Sequence, residues 1–140
     1  MDTLRTQRDI AASPDAIFAA MADPRRLARW WGPDGFSNRF DVFEFRPDGR
    51  WVFDMIGPDG TVYPNQSRFE RIVPGQELVL AHVNAPRFLL TITLEPIEGG
   101  TRVHWAQRFE TVELAKALSA VCVPANEQNL DRWTAEVLST

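Results

Sequence analysis

Two turn sequences, Arg46-Pro47-Asp48-Gly49-Arg50 and Gly57-Pro58-Asp59-Gly60-Thr61, flank one short alternating run, Trp51 to Ile56. Proline presets φ at the second turn position, and glycine accepts the left-handed conformation that closes a tight turn. Two such turns so close together send the chain back on itself twice, so the run between them pairs with both neighbours. Counting outward from three-residue loops, the first turn sets Phe45 opposite Trp51, Phe43 opposite Phe53 and Asp41 opposite Met55. The second sets Met55 opposite Tyr63, Phe53 opposite Asn65 and Trp51 opposite Ser67. One sheet face then collects Phe43, Phe45, Trp51, Phe53, Met55, Tyr63 and Phe69. The other, with Val42, Glu44, Val52, Asp54, Arg68 and Glu70, suits water.

The rest of the chain extends this sheet and covers one side of it. "LRTQRDI" alternates with period two and reads as a first strand. Ser13 before Pro14, and Asp23 before Pro24, are caps followed by proline at the first helical position, which predicts two short helices after that strand. Gly32-Pro33 ends the second. "VPGQ" and "EGGT" mark two further turns, so the stretch from Phe36 to Phe109 is almost all strand and turn. By alternation Leu78, Leu80 and His82, then Phe88, Leu90, Ile92 and Leu94, then Val103, Trp105, Gln107 and Phe109 join the inner face. The last 30 residues return to helix, with Leu114, Leu118, Val121 and Ala125, and then Leu130, Trp133 and Val137, as its apolar stripe. Pro124 is expected to kink or split that helix. The fold class is α+β: a six- to seven-stranded antiparallel sheet, two short helices after strand one and a long C-terminal helix.

At 140 residues, with 44% hydrophobic and 24% charged residues, the chain has the length of a single domain, 1–140, and the composition of a globular one. Its net charge of −4 argues against a general nucleic-acid or anionic-membrane binder. No apolar run approaches the ~20 residues of a membrane span. The charged, alternating start is unlike a secretory signal, and one cysteine, Cys122, precludes an intramolecular disulfide, so a cytoplasmic protein is expected.

Among the apolar inner residues sit Asp41, Asn65, Ser67, His82 and Gln107. Large aromatics with scattered polar groups under one helix suggest a cavity rather than a solid core. Trp30 and Trp31 cannot both face one core, since helical neighbours point about 100° apart. The candidate ligand-binding residues are Trp30, Trp31, Phe43, Trp51, Phe53, Tyr63, Asn65, Ser67, Phe69, His82, Trp105 and Gln107. For acid–base chemistry the inward titratable residues are His82 and Asp41, with Arg8 a third. His82 and His104 face opposite sides and no metal-ligand cluster forms, so neither a metal nor a cofactor is expected. There is no nucleophile elbow, phosphate loop or dinucleotide-binding glycine pattern.

The ordered set "SPDAIFAAMADPRRLARWWGPDGF", "FEFRPDGRWVFDMIGPDGTVY" and "RFERIVPGQELVL" resembles the activator of heat-shock-protein-90 ATPase homologue-like family, within the START / Bet v 1-like (SRPBCC) superfamily. The resemblance runs from Leu4 to about Leu138. It implies a helix-grip fold, a seven-stranded sheet wrapped around the C-terminal helix, often with a hydrophobic cavity between. In that arrangement the second short helix overhangs the cavity mouth, so either one of Trp30 and Trp31 anchors that helix while the other lines the mouth, or both plug a closed rim. Three positions depart from the family pattern: Asp48 for a common glycine, Asn126 for a common tryptophan, and His82 for a frequent aromatic. The last two would enlarge and wet a cavity. Three functions follow as expectations: a binding domain for a small hydrophobic or amphipathic ligand, a chaperone-interacting domain, and a cavity enzyme of cyclase or hydrolase type using His82. Binding is favoured over catalysis, in a monomer or homodimer.

Overall fold

The computed structural model describes residues 2–139. Seven antiparallel strands form one sheet: β1 (Thr3–Ile10), β2 (Ser37–Phe43), β3 (Arg50–Ile56), β4 (Val62–Val73), β5 (Glu77–His82), β6 (Phe88–Ile97) and β7 (Gly100–Phe109). Their spatial order is β1-β7-β6-β5-β4-β3-β2, so β2 to β7 form a meander and β1 closes on β7. Helices α1 (Pro14–Ala22) and α2 (Pro24–Trp30) fill the connection from β1 to β2, and α3 (Val112–Leu138) follows β7. Each begins on the cap its sequence offers. The side chains of Ser13, Asp23 and Thr111 accept hydrogen bonds from the backbone N–H groups of Ala16, Arg25 and Leu114 at 3.0–3.1 Å.

The second hairpin pairs as the turn count requires, with Met55 opposite Tyr63, Phe53 opposite Asn65 and Trp51 opposite Ser67. The first does not. Glu44 closes on Arg50 (N–H to O 2.8 Å), leaving the longer loop 45–49, and Phe43 stands opposite Trp51. Gly49 makes this possible, because a Cβ there would lie 1.9 Å from the Glu44 carbonyl oxygen. A slip of two residues keeps Phe43 and Phe45 on the inner face. The register then shifts again between Phe40 and Val42, a bulge that reverses the alternation. Phe40 therefore stands opposite Phe53, and Asp41, expected inside, is exposed.

The core lies between the inner sheet face and the helices. Trp51 stacks on Phe53 (ring centroids 4.2 Å apart) and lies parallel to Phe69, on which Phe43 and Phe45 pack edge-on. The alternation expected for β5 to β7 holds: Leu78, Leu80, Leu90, Ile92, Leu94, Val103, Trp105 and Phe109 are all buried.

Helix α3 is not split at Pro124, and its apolar stripe departs from expectation. It runs as one element past Pro124, whose exposed position lets water reach the Ala120 carbonyl that the proline cannot bond. Its apolar stripe is also incomplete, since Val121 is 69% exposed. Leu130, Trp133 and Val137 are buried against the body, whereas no side chain between Ala115 and Asn129 is. That poorly packed stretch spans the site described next.

Candidate functional site

Between the inner face of β3–β7 and the middle of α3 lies a cleft of about 550 Å³. Phe53, Leu80, Leu90 and Trp105 form its apolar floor, and Cys122, Ala125, Asn126 and Asn129 of α3 form its roof. Tyr63, half exposed and leaning on Phe36, stands at the mouth with Asn84 and Pro86. A broader depression of about 600 Å³ lies open at the strand ends beside Arg87, Arg108 and Glu110. The cleft is the better site, because it is enclosed between two layers and lined by inward-pointing side chains.

The two tryptophans part company at the end of α2. Trp30 stacks flat on Trp133 (4.6 Å, 5°) and donates its indole N–H to the Ala20 carbonyl at 2.9 Å. Trp31, one residue on and past the last helical turn, packs edge-on against Trp51 and lines the cleft. Trp30 is thus the anchor and Trp31 the wall. Arg132 of α3 holds the loop that carries Trp31. Its guanidinium donates to the carbonyls of Arg29, Gly32, Pro33 and Phe36 at 2.7–2.9 Å and to that of Trp31 at 3.3 Å. Asn38 adds a bond to Trp31 O at 2.9 Å. Gly32 sits at φ 100°, a left-handed backbone conformation that other residues adopt only with strain, so the turn after Trp31 favours glycine.

Of the residues expected on a ligand-binding surface, Trp31, Phe53, Tyr63, Asn65, Ser67, His82, Trp105 and Gln107 line the cleft. Trp30, Phe43, Trp51 and Phe69 do not; aromatic neighbours enclose them in the core. Asn129, Cys122 and Ala125 were not expected. Asn126 and Asn129, three residues apart on one helix face, carry the signal that could have found the roof: paired amides beside an apolar stripe.

His82 is 9% exposed and stacks on Phe88 at 4.6 Å. Its Nδ1 lies 2.8 Å from the Pro86 carbonyl oxygen and its Nε2 2.8 Å from the Asn65 side-chain oxygen. A carbonyl only accepts, so Nδ1 carries a proton. Burial holds the imidazole pKa below its ordinary value, against the pull of that carbonyl. Ser67, directly across the strand pair, bonds neither nitrogen. In the neutral ring that burial favours, Nε2 keeps its lone pair but faces the Asn65 amide, so a substrate would have to displace Asn65 to reach the base. Asp41 is exposed on the bulge, and Arg8 pairs with Glu127 and Asp131 of α3. Strand counting puts these residues on the inner face, but of the three only His82 lines the cleft. His104 faces outward, 2.9 Å from Glu95. Among the described residues no group of three His, Cys, Asp or Glu side chains could hold a metal ion, and no helix is long and apolar enough to cross a membrane.

Solved structures share this architecture. A protein of Arthrobacter aurescens superposes with a TM-score of 0.90 at 24% identity, covering 99% of this chain and 87% of that one. One from Nitrosomonas europaea gives 0.88 at 18% identity, covering 98% and 94%. A Silicibacter pomeroyi protein whose own name assigns it to the AHSA1 group gives 0.77 at 22% identity, covering 97% of each chain. No curated protein matches in sequence. The family model described as Activator of Hsp90 ATPase homolog 1-like protein matches residues 11–137. With that match over most of its length, and with the seven-stranded sheet gripping a C-terminal helix, the chain belongs to the Activator of Hsp90 ATPase homolog 1-like family, of the Bet v 1-like helix-grip type.

Proposed function

We propose that this protein is a binding domain for a small, largely apolar organic molecule held between the sheet and α3. The observation that carries the reading is the cleft itself. About 550 Å³ is within the range of small-molecule sites, and the apolar floor meets a few placed polar groups. The state of His82 favours binding over catalysis, because its two nitrogens face Pro86 and Asn65. The single cysteine suits a reducing cytoplasm.

Native mass spectrometry of protein purified without refolding tests the reading. A retained small molecule, lost from an Ala125→Trp variant whose roof is filled, is the expected result. Native protein carrying nothing, and failing to bind any apolar probe, would overturn it. The family's description supplies the second reading, contact with a chaperone, which a chaperone ATPase assay with and without this protein decides.

A further inference from the structure

The cleft is lined without a single Asp, Glu, Lys or Arg, in a chain where those residues make up 24%. Its polar groups are instead neutral and partly unspent. Asn129 is 6% exposed, and its Oδ1 accepts from the Gly32 backbone N–H at 3.2 Å. A backbone N–H only donates, so the amide cannot be turned round, and its NH2 faces away with no partner among the described residues. Gln107, also 6% exposed, meets Asn126 across the cleft, Nδ2 to Oε1 at 3.0 Å. Whichever way that pair is oriented, one NH2 group and one carbonyl oxygen remain free. Ser67 is 4% exposed, lines the floor and makes no side-chain hydrogen bond among the described residues.

Resting on the binding reading above, we infer that the ligand is uncharged and carries a carbonyl group, of ketone, ester, lactone or amide type, on an apolar body, and that Gln107, Asn126, Asn129 and Ser67 take its polar end. Two free NH2 groups and a hydroxyl outnumber the free acceptor oxygen, so the complementary ligand group is chiefly an acceptor. A carboxylate would also accept, but it would be desolvated with no cation facing it. A purely apolar molecule would strip water from these amides and return nothing.

Three naphthalenes of similar shape separate these cases by titration at pH 7.5, followed through tryptophan fluorescence: 2-acetylnaphthalene, 2-naphthoate and 2-ethylnaphthalene. The ketone is expected to bind at least tenfold more tightly than either of the others, a difference of about 1.4 kcal/mol. Ser67→Ala, which breaks no internal bond, and Gln107→Leu should each erode that preference, weakening the ketone and tightening the ethyl compound, which then desolvates fewer polar groups. Equal or tighter binding of the carboxylate, or a ketone preference untouched by both substitutions, would overturn the inference and leave the binding reading intact. Failure of all three to bind would remove the binding reading, and this one with it.

Discussion

At the scale of single residues, burial of His82 makes stability depend on pH. The imidazole pKa lies below its ordinary value because the buried site penalises the charged ring. The unfolded chain therefore takes up the proton more readily than the folded one. Stability from this group is complete above the unfolded pKa of about 6.5 and is lost as pH falls toward the lower folded value. Carboxylates that the fold acidifies, such as Glu136 hydrogen-bonded by Arg29, act in the same direction but at lower pH. Urea melts at pH 7.5 and 5.0 should accordingly show a weaker protein at 5.0, and His82→Phe should shrink that difference. The same variant keeps a ring on Phe88 but strands the Pro86 carbonyl and the Asn65 amide. It should cost roughly 1–2 kcal/mol at pH 7.5. An undiminished pH difference in the variant would show that another group carries it.

Between elements, the decisive contacts are polar groups reaching chain ends. Helix α2 ends with carbonyls its own turns cannot bond, and Arg132 and Asn38 supply the donors, with a cation at the negative end of the helix. Arg132→Met should therefore cost about 2–3 kcal/mol in a urea melt and loosen the wall made by Trp31, read as a red shift of tryptophan emission. Arg132→Lys should rescue little, because one ammonium cannot span five carbonyls. Rescue by lysine would mean that charge alone matters. Nothing in the sequence marks this role, since an arginine among α3's polar residues reads as solvated. The hairpins show the same limit from the other side. Counting from the turn gives the second hairpin correctly, because its loop closes on Gly57 and Thr61. It misses the first, where the Glu44 carbonyl over Gly49 and the bulge after Phe40 are both non-local choices. Inner-face aromatics are legible from period two alone, whereas which of them border a cleft depends on how the helices land. That is why Trp51 and Phe69 are core while Gln107 is wall.

Over the whole molecule, α3 serves as two half-helices with different attachments. Its C-terminal half is fixed by Trp133 on Trp30 and Ile17, by Glu136 between Arg26 and Arg29, and by Asp131 on Arg8. The other half buries only Ala115, exposes Val121 and Val123, and roofs the cleft around Asn126. Local opening follows the buried contacts an element makes, so the two halves should exchange amide hydrogens at different rates. By hydrogen–deuterium exchange, peptides covering 114–126 should exchange at least tenfold faster than those covering 128–138. A ligand in the cleft contacts the first set, and in the second set only Asn129, at its first turn. At a hundredfold excess over its Kd it stabilises the bound state by about 2.7 kcal/mol. Protection should then appear at 118–126 and in β4 and β5, while 130–138 stays unchanged. Uniform exchange along α3 would mean that the helix is held equally at both ends and that the roof cannot lift. Protection confined to 130–138 would place the ligand outside the cleft altogether.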